Sequence, residues 1–155
     1  MERLNSSMQL TRAADYAVRV MIHLAARSTE ERLSLPALAA ATDAPDSFLS
    51  KVLQALSRAG LISSRRGQSG GFQISTQGRQ ASMRAVIEAI DGPICLNVCL
   101  VSGKSCRRKA QCPAHPVWEQ AQLAMLEVLS KAMVADLASQ PQPSRSGHRQ
   151  LVHLP

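Results

Sequence analysis

Residues 45–75 read PDSFLSKVLQALSRAGLISSRRGQSGGFQIS, and the pattern changes character partway through. Leu49, Val52, Leu53 and Leu56 recur at helical spacing and share one face. Asp46 stands where a helix N-cap belongs, and Gly60 is a natural C-terminal stop. After the glycine, LISS is apolar and partly β-branched, and FQIS alternates. The RRGQSGG between them is rich in glycine and charge, so the segment reads as a hairpin with a flexible basic tip.

Upstream lies the rest of a pattern that this stretch completes. Thr11 can cap a helix in which Ala14, Ala17, Val18, Met21, Ile22 and Ala25 recur at helical spacing. Ser34 can cap a second, short helix over residues 35 to about 41, with Pro36 tolerated in its first turn. TDAP then breaks the pattern. Helix, short helix, turn, helix and basic hairpin is the order of a winged helix-turn-helix, whose third helix enters the DNA major groove. On that reading Ser47 and Ser50 hydrogen-bond phosphates or base edges, and Lys51 neutralises a phosphate. Arg65 and Arg66 reach towards the minor groove, while Gly67, Gly70 and Gly71 let the backbone turn and approach closely. Phe48 has two readings, a ring packed on DNA or an anchor in the core.

The chain has 155 residues, a formal net charge of +7 and a pI near 9.9. Between Asp46 and Glu88 there is no acidic residue, but there are six basic ones: Lys51, Arg58, Arg65, Arg66, Arg79 and Arg84. Such a stretch suits a polyanion, though a solvated face has the same composition. Hydrophobic residues make up 45% and aromatics only 3%, so aliphatic side chains must fill the core, which favours helices. No run of about 18 apolar residues occurs, and the first residues lack the apolar core of a secretory signal. The expectation is a cytoplasmic protein with no membrane partner.

Downstream, Met83, Val86, Ile87 and Ile90 mark a fourth helix that Asp91-Gly92-Pro93 ends. From Pro116 to about Ala138 the pattern predicts one long helix. Val117, Ala121, Ala124, Met125, Val128, Leu129, Ala132 and Leu137 form its seam, with Trp118 beside it. Such a seam packs on its own domain or, more readily, on a twin helix in a two-fold dimer; that dimer would present two recognition helices to a palindromic operator. The expected organisation is a DNA-binding domain over 1–92, a cysteine loop over 93–115, a dimerisation helix over 116–138 and a disordered tail over 139–155.

All four cysteines lie in the loop CLNVCLVSGKSCRRKAQCPAH, as Cys95, Cys99, Cys106 and Cys112, with His115 after them. No Cys-x2-Cys pair occurs, which argues against a zinc ribbon or a thioredoxin-like site. The wider gaps suit an iron–sulfur cluster, with zinc and thiol or disulfide sensing as alternatives. Lys104, Arg107, Arg108 and Lys109, with no acid between Asp91 and Glu119, favour thiolates and offset an anionic cluster.

MQLTRAADYAVRVMIHLA, the stretch beginning SFLSKVLQALSRAGLISSRRGQSGGFQIS and the cysteine loop before a long helix resemble the IscR/NsrR superfamily of bacterial winged-helix regulators, also called the Rrf-two family. The resemblance spans roughly residues 8 to 138. It implies a homodimeric transcription factor with a [2Fe–2S] or [4Fe–4S] cluster that senses cluster supply, nitric oxide, iron or redox state. It places the three family cysteines on Cys99, Cys106 and Cys112, with Cys95-Cys106-Cys112 as a competing set. The fourth ligand falls on His115 in one branch of the family. In the other branch it falls on Asp15, donated by the partner subunit, if Met8 is equated with that branch's initiating Met. Pro45, Ser47, Phe48, Ser50 and Lys51 fall on the recognition positions, and Arg66 on the wing arginine, with Arg65, Gly67 and Gln68 around it. The family often has Pro-Gly where Gln68-Ser69 stands, which implies a looser wing tip. The expected function is a DNA-binding regulator, in its repressor form, that reads an iron–sulfur signal. The alternative is the same fold using zinc or thiol chemistry. No phosphate loop, paired carboxylates or Ser/His/Asp set supports an enzyme.

Overall fold

The computed structural model describes residues 10–101 and 106–141. Its elements run α1 Arg12–Ala25, α2 Leu35–Thr42, α3 Asp46–Arg58, β1 Ile62–Arg65, β2 Gly71–Ile74, α4 Thr76–Arg79, α5 Met83–Asp91, α6 His115–Lys131 and α7 Val134–Ser139, with 3-10 turns at Val98–Leu100 and Lys109–Gln111. This is a mainly α winged helix-turn-helix. The readings of residues 1–9, Lys104 and the tail beyond Pro141 lie outside the described residues.

The caps explain where the helices start. Thr11, Ser34 and Ser82 each accept a hydrogen bond from the backbone N–H three residues on. Asp46 departs from its expected role: Pro45 holds the cap position with no side-chain bond, and Asp46 is the first helical residue. The fixed proline φ of −62° already sets the entry, and its carbonyl accepts from Leu49 N–H at 2.9 Å. Asp46 still faces the positive end of the helix dipole. Gly60 ends α3 at φ +73°, and Leu61 N–H closes back on Leu56 O at 3.0 Å. That bond keeps Leu61 out of the strand, so β1 starts one residue later than LISS implied.

The core lies between α1, α2 and α3 and extends to α5. Met21, Leu38, Leu49, Leu53, Leu56 and Val86 are fully buried; each such leucine contributes about 1.5–3 kcal/mol. On α1, Val20 and Leu24 take the core places, and Val18 and Ile22 are only half-buried. The hairpin pairs Ile62 with Ile74 and Arg65 with Gly71. A third segment joins it through Leu33 and Phe72, which exchange backbone bonds of 2.9 and 2.8 Å.

The single long helix expected to Ala138 breaks. α6 ends at Lys131, Ala132 and Met133 are extended, and α7 turns back onto α1. No glycine or proline causes the break. The start of α5 does: Met83 N–H donates to Ala132 O at 2.7 Å and Val134 N–H to Ala81 O at 2.9 Å. Val134 is then buried in the core. The winged helix-turn-helix lobe is therefore closed by a segment beyond residue 92.

Short α4 carries a junction. Ser75 Oγ accepts from Gly78 N–H at 2.8 Å and sits 2.6 Å from Gly60 O and 3.0 Å from Leu61 O. Ser75→Ala is expected to lower stability by about 1–2 kcal/mol, read as a fall in thermal midpoint of several degrees. An unchanged midpoint would show that the hydroxyl does not hold this junction.

Candidate functional site

Two surfaces hold the candidate residues. The first is the exposed end of α3 and the adjoining hairpin. Pro45, Ser47, Phe48 and Lys51 are exposed and Ser50 is half-buried, while Leu49, Val52 and Leu53 point inwards. Arg65, Arg66, Gly67 and Gln68 are all exposed. Gly70 N–H donates to Gly67 O at 2.9 Å, so the tip is closed by a hydrogen bond despite lacking Pro-Gly. A Cβ on Gly70 would meet Arg65 O at 2.3 Å, which restricts the position to glycine.

The basic stretch divides by partner. Arg79 donates to Ala25 O at 3.0 Å and Arg27 O at 3.1 Å, satisfying the C-terminal end of α1, and Arg84 pairs with Glu88 at 3.2 Å. Those two are committed to the fold. Lys51, Arg58, Arg65 and Arg66 are exposed and make no ion pair among the described residues. Lys51 at the exposed start of α3 and Arg65 and Arg66 on the hairpin suit a phosphate backbone, while Arg58 lies at the other end of α3.

Phe48 is neither free nor core. It is 39% exposed, and its ring meets Tyr16 of α1 edge-on, with centroids 5.6 Å apart and an interplanar angle of 72°. Arg19 lies over the Tyr16 ring at 5.8 Å, donates to Thr42 O at 3.3 Å and pairs with Asp15 at 2.7 Å. Tyr16 and Arg19 had not been singled out; their helical spacing with Arg12 on one side of α1 was the available signal.

The second surface is a cavity of about 590 Å³ lined by Cys99, Cys106, Cys112, His115, Lys109, Asn97, Val98 and Trp118. Three of the four thiols converge there, and Cys95 is not among them. All four are free thiols; Cys106 is exposed and the others are half-buried. His115 opens α6 and is 6% exposed. Among the described residues neither imidazole nitrogen has a hydrogen-bond partner; Nε2 lies 3.4 Å from Glu119 Oε1 without the alignment of a bond. An orphaned buried imidazole is costly and stands ready to bind a proton donor or a metal. Among the described residues, no group of three or more His, Cys, Asp or Glu is arranged to hold a metal ion. Three thiols and an imidazole are donor types that fit an iron–sulfur cluster and zinc alike.

Asp15 is exposed on α1 and does not line the cavity. His23 is half-buried on the same helix; burial pushes its imidazole below the ordinary range, Arg27 adds to this and Glu31 opposes it. On α6, Val117, Ala121, Ala124 and Val128 are exposed along one side, at spacings of four, three and four, while Trp118, Met125 and Leu129 face the protein. No helix among the described residues is long and apolar enough to cross a membrane.

Comparison with known proteins covers almost all of this structure. The model of the Rrf2 family, described as an iron-dependent transcriptional regulator, matches residues 10–140. The regulator NsrR of Geobacillus kaustophilus is 30% identical over 131 residues, which is 84% of this chain and 89% of that one. The regulator IscR of Vibrio cholerae is 26% identical over 147 residues, 95% of this chain and 84% of that one. CymR, the global cysteine regulator of B. subtilis, superposes with a TM-score of 0.70 at 26% identity, over 84% of this chain and 96% of its own.

Proposed function

Since the chain belongs to the Rrf2 family of transcriptional regulators, we propose that it is a homodimeric repressor whose cysteine cavity takes an iron–sulfur cluster, [2Fe–2S] or [4Fe–4S], and reports iron–sulfur supply, nitric oxide, iron or redox state to the DNA. The observation that carries this reading is the convergence of Cys99, Cys106, Cys112 and an unpartnered buried His115 on one cavity. The three thiolates would hold the cluster, and Lys109 on the same wall offsets their charge. A cluster supplies electron exchange and a target for oxygen and nitric oxide. His115 is the fourth ligand this subunit can offer. Asp15 could serve only across a subunit boundary, because in its own chain it is paired with Arg19 away from the cavity. The exposed α6 stripe supports a twin-helix dimer, which would present two α3 helices and two basic hairpins to a palindromic operator.

The loop is continuous with α6 through Leu96 N–H, which donates to Gln122 Oε1 at 2.9 Å. Ordering of the loop by ligation would therefore be felt along the helix that carries the dimer stripe.

Anaerobic reconstitution with iron and sulfide tests the proposal. The expected result is visible absorbance with iron and sulfide bound to a dimer in native mass spectrometry. Cys106→Ser and Cys112→Ser are each expected to cut bound iron at least about tenfold, whereas Cys95→Ser should retain it. Loss in His115→Ala but not Asp15→Ala would assign the fourth ligand to the same chain. Wild-type protein with no absorbance, iron or sulfide would overturn the cluster reading. A second reading, zinc binding or thiol oxidation, is favoured by the four free thiols and by the likeness to a cysteine regulator. Metal analysis and thiol counting after peroxide separate the two.

A further inference from the structure

We propose that Phe48 reads the C5 methyl group of a pyrimidine in the major groove, and that Tyr16 is the positioning residue that sets its ring. The proposal rests on the reading of α3 as the DNA-reading helix. Phe48 lies in the first turn of α3 and is 39% exposed, although buried Leu49, Val52 and Leu53 surround it in sequence. The outward part of the ring lies beside Ser47 and Lys51, where an apolar group of the DNA could reach it. Ser47, Ser50 and Lys51 beside it supply polar and charged groups, which suit phosphates and base edges. In the major groove, the methyl of thymine is the feature that an apolar group reads and a hydrogen-bonding group does not.

The ring is held from behind. Tyr16 meets it edge-on at 5.6 Å, and Arg19 covers Tyr16 while anchored to Asp15 and to Thr42 O at the end of α2. The Tyr16 hydroxyl makes no hydrogen bond among the described residues, so the ring, and not the hydroxyl, does the positioning. Thymine and 5-methylcytosine present the same methyl, so either base satisfies the chemistry.

The test begins with duplexes enriched from a randomised pool by the wild-type protein. Each thymine is then replaced by deoxyuridine, and separately each cytosine by 5-methylcytosine, with binding read by fluorescence anisotropy. One position per half-site is expected to weaken about fourfold on losing the thymine methyl, or to tighten as much on gaining the cytosine methyl. The two arms tell which base is read. Phe48→Ala should erase that difference, Tyr16→Leu should reduce it, and Tyr16→Phe should retain it. Enriched duplexes that bind equally well with and without the methyl at every position would overturn this proposal alone. Failure to enrich any sequence would overturn the DNA-reading function itself. The wild-type comparison alters only the DNA, so it decides even if a variant fails to fold. A folded Phe48→Ala protein that still discriminates also overturns the proposal.

Discussion

Arg66→Glu is expected to lower affinity for an enriched duplex by about two orders of magnitude, the largest functional loss from any one surface substitution. Arg66 is exposed just past β1, in a hairpin whose tip is fixed by the Gly67–Gly70 bond, so the side chain is delivered at a set place. The substitution removes a cation and adds an anion, and a dimer carries the change twice; a groove arginine is worth about 1–3 kcal/mol per site. The slope of log affinity against log salt should also become shallower by about two, one phosphate contact per subunit. Arg84→Glu alters net charge equally but replaces a residue already paired with Glu88 on α5, and should change affinity only a few-fold. Anisotropy titrations across a salt series measure all of this. Equal losses in the two variants would mean that overall charge matters and the wing does not.

Gly78→Ala should be the most damaging single substitution to the fold. A Cβ there would lie 1.9 Å from Leu61 O, 2.9 Å from Leu61 C and 2.9 Å from Met21 Cε. The Leu61 carbonyl cannot retreat cheaply, because it accepts from Ser75 N–H at 3.1 Å and lies within reach of Ser75 Oγ. Relief requires parting α4 from the hairpin base at Leu61, which costs about 3 kcal/mol or more and roughly 10 °C of thermal midpoint. Gly67→Ala is the comparison: its Cβ meets nothing within 4 Å, so only the strain of φ +104° remains. Thermal unfolding followed by circular dichroism should rank Gly78→Ala well below Gly67→Ala. The reverse order would show that α4 yields freely.

What could be read from the chain alone depended on how local the cause was. The caps at Thr11 and Ser34, the stop at Gly60 and the apolar face of α3 are set within a few residues, and each is legible in place. The break after Lys131 is set by backbone groups at Ala81 and Met83, some fifty residues earlier, and leaves no mark in its own sequence. α4 is one turn long, too short for a periodic signal, and exists because Ser75 caps it against Gly60 and Leu61. In the cysteine loop, the family resemblance leaves Cys95 and Cys99 as rivals. Which of them lines the cavity (Cys99 does, Cys95 does not) depends on the path of the loop and is not written in the spacing. The roles of Tyr16 and Arg19 were hidden because their partners, Phe48 and Thr42, come from other helices.

The return of α7 onto α1 has a mechanical meaning. α6 is about 25 Å long, tied near its middle by Gln122 to the cysteine loop and at its end by Ala132 to the head of α5. A rod fastened at its far end cannot slide when it is pushed along its length; it can only swing about the fastening. Ala132 is thus a fulcrum. In the proposed dimer, a shift of the cysteine loop would become an angle between the twin rods, and that angle would change how far apart the two heads stand on the DNA.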